Sequence, residues 1–206
     1  MQALLLCGAL LLAGCSVPGG RAALANYYDF GPLPAAGAHA SIAGTAVAPQ
    51  PAVAVSVAEV TPAAWLDSSL MYYRLLYADP QQPRAYAQQR WAMQPADLFG
   101  QRLKARIAQA GGVAASAVDG PTNLPLLRIE ADDFSHVFES PEKSHGSIAL
   151  RASLYNGRTL LAQKSFAARA PATSNDAAGG ARALAAASDA VIADMLAWLA
   201  GQPLKR

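Results

Sequence analysis

The densest group of side chains able to bind a metal or move a proton is Glu130, Asp132, Asp133, His136 and Glu139. Carboxylates beside an imidazole suit a divalent cation, and strand alternation predicts Glu130, Asp132 and His136 on one face. No second His or Cys stands at ligand spacing, since His145 falls in an adjoining polar stretch and His39 in an Ala/Gly/Pro-rich one. The group therefore reads as a solvated strand face, and no metal ligand is assigned. Nucleophilic chemistry has no better footing, because there is no Gly-x-Ser-x-Gly elbow. Gly111-Gly112 and Gly179-Gly180 precede no Lys-Ser/Thr pair, so neither is a phosphate-binding loop. No catalytic residue and no cofactor is assigned, and a non-enzymatic protein is expected.

The thiols give a sharper signal. Residues 3–13 form an apolar run of signal-peptide length, too short to cross a bilayer as a helix. The run ends in Leu12, Ala13, Gly14 and Cys15, which resembles the lipobox of bacterial lipoproteins. Small residues before the cysteine admit a signal peptidase, and the thiol accepts a diacylglycerol. A third acyl chain usually caps the new amino terminus of such proteins, and several chains make an effectively permanent anchor. Cys7 would leave with the leader, so Cys15 has no intramolecular partner and no disulfide is expected. The n-region, Met1-Gln2, carries no Lys or Arg. Either the true start lies upstream or the α-amino group supplies the positive charge. Ser16 follows the cysteine where enterobacterial sorting rules use Asp for retention, which favours the outer membrane.

Composition narrows the rest. The formal net charge is +2, from 16 basic and 14 acidic residues with no block of one sign, so nucleic acid is not expected as a partner. Beyond the leader no apolar stretch approaches membrane-spanning length by inspection, and a soluble body is expected.

Residues 16–26 read as a tether, 26–32 as a short extended segment, and 33–51 as a loop too poor in large side chains to order itself. Val53, Val55 and Val57 alternate with small residues as a strand ended by Pro62. Residues 70–76 and 86–91 are further strands, the second after turn signals at Pro80 and Pro83. Pro95 opens an amphipathic helix whose apolar stripe is Phe99, Leu103, Ile107 and Ala110, with Arg102, Lys104 and Arg106 on the other faces. Gly111-Gly112 stops it. A three-strand meander follows, with strands at 126–138, 147–155 and 158–168. A polar loop at 140–146 joins the first two, and Asn156-Gly157, with positive φ expected at both positions, joins the last two. Residues 171–180 are a linker, and 181–200 a helix with the stripe Leu184, Ser188, Val191, Met195 and Trp198. The fold class is α+β, with one mixed, largely antiparallel sheet covered by two amphipathic helices.

The order of these elements resembles the ABC-type transport auxiliary lipoproteins, the family of paraquat-inducible protein C. The resemblance rests on Tyr27-Tyr28-Asp29-Phe30-Gly31 after the lipobox, then Val53-x-Val55, Val60, Pro62 and Leu66-Asp67. Met71-x-Tyr73-Arg74, Arg90-Trp91-Ala92 before the helix bearing Leu98 and Leu103, and Ala197-Trp198-Leu199 complete it. It spans nearly the whole mature chain. Gln94-Pro95 departs from the pattern, since many members carry an acidic residue there.

The implied division is a signal peptide at 1–14, an acylated tether at 15–26, the auxiliary lipoprotein domain at 27–200 and a tail at 201–206. The resemblance implies a non-catalytic subunit of an envelope transporter with a permease, an ATPase and an MCE-domain protein. Such systems move phospholipid or other hydrophobic molecules between inner and outer membranes. The lipoprotein would be lipid-anchored at the periplasmic face of the outer membrane, dock the MCE protein, and associate with copies of itself. Tyr72, Tyr73 and Trp91 are its candidate partner-binding residues, with packing in the sheet as the alternative role. The rival is a free-standing carrier lipoprotein, which would need an internal apolar cavity of several hundred Å³.

Overall fold

A computed structural model describes residues 24–34, 52–119 and 123–203. The strands are β1 (Asn26–Tyr28), β2 (Ala54–Val57), β3 (Thr61–Pro62), β4 (Leu70–Leu75), β5 (Asp79–Trp91), β6 (Val113–Ser116), β7 (Leu126–Ser140), β8 (Lys143–Asn156) and β9 (Thr159–Pro171). The helices are α1 (Pro95–Gln109) and α2 (Ala177–Ala200).

Strand β7 organises the sheet. One of its edges pairs antiparallel with β8 along nearly its whole length, and β9 follows β8 as the expected meander. Its other edge takes three strands in succession, all parallel. β2 pairs at Leu126–Leu127, β3 at Glu130–Ala131 and β4 at His136–Phe138. β5 and β1 extend the sheet beyond β4, and β6 lies outside β2. Three strands successively paired along one twisted edge curl the sheet.

The α+β class and the two helices match expectation, but the sheet is not largely antiparallel. Among the described residues five of the eight strand pairings are parallel. Period-two alternation identifies a strand without naming its partner, and β1, β2, β3 and β4 all join strands reached through long connections.

Further differences have local causes. β5 is longer than expected because Pro80 and Pro83 lie at its start, beyond the stretch that β1 covers, where a missing N–H costs no second ladder bond. The expected loop at 140–146 is mostly strand, since the turn uses only Pro141 and Glu142 and β8 already pairs at Lys143. At the β8–β9 turn only Gly157 takes positive φ (+57°), at the first central position, while Asn156 still pairs with Thr159. That placement fits a II′ turn, which wants glycine first. β6 had no alternation to reveal it.

Helix α1 starts at Pro95 and ends before Gly111 at φ +76°. Phe99, Leu103 and Ile107 are buried as the stripe requires. Helix α2 begins four residues earlier than expected, capped by Asp176, whose carboxylate accepts from the Gly179 amide at 2.7 Å. By length and a mean hydropathy of 1.5 this helix could cross a membrane. Here it serves as the core helix, burying Leu184, Val191, Ile192, Met195 and Leu199 against the sheet. Phe166 of β9 meets Trp198 edge-on, and the Lys164 ammonium sits 5.0 Å over the Phe166 ring.

Candidate functional site

The chain enters the fold at β1, and the segment after it is held by a buried ion pair. Arg102, expected on a solvent face of α1, is only 7% exposed. Its Nε and one terminal nitrogen donate to the two carboxylate oxygens of Asp189 on α2, at 2.8 and 2.6 Å. The other terminal nitrogen donates to the carbonyls of Phe30 and Gly31, both at 3.1 Å. The planar fork satisfies a carboxylate and a backbone segment together, which Lys could not do. Arg102 thus ties β1's exit to both helices. Asp189 gave one clue in the sequence, as an acid beside Ser188 on the buried stripe of α2.

The carboxylate–histidine group does not converge. β7 carries a bulge between Ala131 and Asp133, which reverses its alternation. Before it Leu127, Ile129 and Ala131 face the core, and after it Phe134, His136 and Phe138 do. Glu130 and Asp132 stay on the outer face, where Glu130 accepts from Arg151 Nε at 2.7 Å. His136 points under α2. Strand alternation alone, without the bulge, put these residues on one face. Among the described residues no three of His, Cys, Asp and Glu gather as metal ligands would.

The three candidate partner residues do not share a surface. Trp91 is 1% exposed, packed edge-on against Phe30 and Phe134 at 5.7 and 5.9 Å between centroids. Tyr73 turns to the α2 side, near Tyr86 (4.7 Å) and Phe138 (6.1 Å). Tyr72 turns to the opposite face and meets Trp65 at 5.3 Å, while the Arg74 guanidinium lies 5.0 Å over the Trp65 ring. Leu76 and Tyr77, at the β4–β5 turn, are 42% and 51% exposed. Trp65 and Tyr72 are half-buried against the core, so the large exposed side chains of this region are Leu76 and Tyr77 at the turn. Cys15 and the residues before it lie outside the described residues, as does most of the 33–51 loop.

Among the described residues two clefts open to solvent. One of about 320 Å³ runs between β1 and α2, lined by Tyr27, Tyr28, Phe30, Ala181 and Arg182. The other, about 340 Å³, lies at the β7–β8 turn beside Glu139, Lys143, His145, Arg169 and Asn175. There Lys143 pairs with Glu139, and the Lys143 hydrogen bond holds that exposed carboxyl below its usual range. Burial, then the charge of Arg169, keeps the His145 imidazole from protonating at its ordinary pH.

Solved structures share this fold. Protein XCC0632 from Xanthomonas campestris superposes with a TM-score of 0.64 at 21% identity, over 73% of this chain and 85% of that one. The hypothetical protein CT253 from Chlamydia trachomatis gives 0.50 at 10% identity, over 74% and 98%. Both likenesses concern the fold alone. No curated protein matches the chain. The family model of the ABC-type transport auxiliary lipoprotein component matches residues 38–196, which take in β2 through most of α2. The chain belongs to the ABC-type transport auxiliary lipoprotein component family.

Proposed function

We propose that this lipoprotein component of an ABC-type transporter is a non-catalytic docking subunit of an MCE-containing envelope system. The system moves phospholipid or other hydrophobic molecules between the membranes. Acylated Cys15 anchors the chain at the periplasmic face of the outer membrane, and the folded domain presents a surface to the MCE protein. The observation that carries this reading is the family match over residues 38–196, joined to the Leu12-Ala13-Gly14-Cys15 sequence ahead of it. The surface assigned to the partner is the outer aromatic face of Trp65 and Tyr72 with the Leu76–Tyr77 turn, in place of Trp91 within the core. Trp, Tyr and Arg are the residue types that anchor protein interfaces, and Trp65, Tyr72 and Arg74 lie together, half-buried, on this face.

A carrier lipoprotein is the second reading. Among the described residues the two clefts are open to solvent, where a carried acyl chain would need an apolar enclosure, so neither favours it.

The test is affinity purification of the tagged full chain from mildly solubilised envelopes, with proteins and lipids identified by mass spectrometry. Recovery of an MCE protein with its permease and ATPase is expected, and Tyr72→Ala with Tyr77→Ala should reduce it while the protein remains folded. Stoichiometric lipid without those partners would overturn the docking role in favour of the carrier.

A further inference from the structure

Beneath the first turn of α2 sits an imidazole that docking does not use. His136 is 0% exposed. Its Nδ1 lies 2.8 Å from the Tyr86 hydroxyl, and among the described residues no partner reaches its Nε2. Either tautomer of the neutral ring leaves Nε2 unsatisfied, as a donor or as a bare acceptor. The ring lies against Phe138 with centroids 4.4 Å apart, and Gly180 of α2 closes over it. A Cβ on Gly180 would lie 2.6 Å from His136 Cγ, so only glycine lets the helix come this close.

The titratable groups around the ring come from every neighbouring element. Tyr73 faces it from β4, Tyr86 from β5, with Tyr28 of β1 behind Tyr86. His145 approaches from β8, and Asp176 caps α2 with Arg182 beside it. The Asp176 carboxylate, engaged by the Gly179 amide and the Ser174 hydroxyl, is the charge that favours a protonated His136, but burial and the charge of His145 outweigh it. Burial drives the Tyr86 phenol's pKa upward, so Tyr86 stays neutral and offers no compensating charge.

A second proton on His136 would create a buried cation with no acceptor for Nε2–H, close to the positive end of the α2 dipole. The element above it is the easiest part of α2 to release. Its first turn contains Gly179 and Gly180, each costing about 1 kcal/mol of helix propensity. The rest of α2 is pinned by Leu184, Val191, Ile192 and Met195, and by Asp189 in the grip of Arg102.

We propose that His136 is an acid-sensing latch: its protonation expels the imidazole, frees residues 177–183 from the sheet, and uncovers the cluster of Tyr73, Tyr86 and Phe138. The sign follows from linkage. Burial, and then the charge of His145, push the His136 pKa down to about 4 from an ordinary 6.5. The closed turn binds fewer protons than the open one between those values, so closure weakens as pH falls through 6.5 and levels off below 4. With an open-state value of 6.5, the opening constant at pH 5 is roughly 30-fold that at pH 7.5.

Native-state hydrogen exchange of the full chain, corrected for intrinsic rates, tests this at pH 7.5 and 5. The expected result is a roughly 30-fold rise in opening for amides 177–183, with amides 191–199 little changed. His136→Gln should abolish the rise, and His145→Gln, which removes one charge holding the His136 pKa down, should reduce it without abolishing it. A uniform acceleration along α2, no acceleration, or an unchanged effect in His136→Gln would each overturn the latch. NMR titration of the imidazoles in the unsubstituted chain gives an answer that does not depend on a variant folding. A folded-state His136 titrating near 6.5 refutes the proposal, and one titrating well below supports it.

Discussion

Replacing Arg102 by leucine isolates what the buried ion pair contributes. The substitution keeps an apolar stem in α1 but leaves the Asp189 carboxylate, 7% exposed, without its two donors. Stranding one member of a buried pair costs about 3–5 kcal/mol. The carbonyls of Phe30 and Gly31 also lose their donor. Gly31 is exposed and can turn to water, whereas Phe30 is buried, so one further unsatisfied acceptor adds about 1–3 kcal/mol. Against a total stability of about 5–15 kcal/mol, the single variant should sit near the edge of folding. The double variant Arg102→Leu, Asp189→Leu removes both charges and should recover most of the first cost. It retains only the Phe30 carbonyl defect, for a net loss of about 1–3 kcal/mol. Urea unfolding of the chain without residues 1–15, followed by tryptophan fluorescence, reads all three forms at one m-value. Trp91 lies 5.7 Å from Phe30 and should report on the anchored segment directly. The reasoning fails if Arg102→Leu alone costs less than about 1 kcal/mol, or if the double variant is no more stable than the single.

Two further outcomes use the same assay. Gly180→Ala should destabilise by about 2 kcal/mol, because collision with the His136 ring outweighs the roughly 1 kcal/mol that alanine gains in a helix. A stabilised variant would show that the helix can lift without penalty. Asp176→Ala should cost about 1 kcal/mol as a lost N-cap. The Gly179 amide, then the Ser174 hydroxyl, hold the Asp176 carboxyl below its usual range. The cap's contribution is therefore complete above pH 5 and lost as pH falls through the folded-state pKa, so the gap between variant and parent should close in strong acid. A gap that widens on acidification would contradict that assignment.

Elements with one buried face were legible from the residues. The Val53-Val55-Val57 alternation, the Phe99-Leu103-Ile107 stripe and the Leu184-Val191-Met195 stripe all read correctly, because burial on one side imposes the period. The β7–β8–β9 meander was legible from its turns, but the pairing of β2, β3 and β4 was not, since they meet β7 at separations that no local pattern encodes. Nor was the phase of β7 after residue 131, because one extra residue in a bulge moves His136 to the other face while leaving the composition unchanged. Arg102 looked solvent-facing because its partner is 87 residues away. Trp91 looked available for the same reason, its neighbours Phe30 and Phe134 being remote in the chain. The Leu12–Cys15 sequence lies outside the described residues, and a docking surface is a property of which strands become neighbours.

The position of β7 also governs the order in which the molecule can assemble. Any N-to-C delivery of the chain presents β2, β3 and β4 long before the strand whose edge all three require, and the backbone bonds Ser56 to Pro125, Ala63 to Ala131 and Leu76 to Phe138 must wait for it. Until β7 arrives, the strand pairings available among the described residues are the β4–β5 hairpin, β1 beside it and the β2–β6 pair, each with a bare edge. Helix α2, which buries the core, arrives last of all. Such long-range closure makes for slow folding and a prolonged aggregation-prone interval. A chain truncated before residue 126 should therefore behave as a chaperone client and not as a small stable domain.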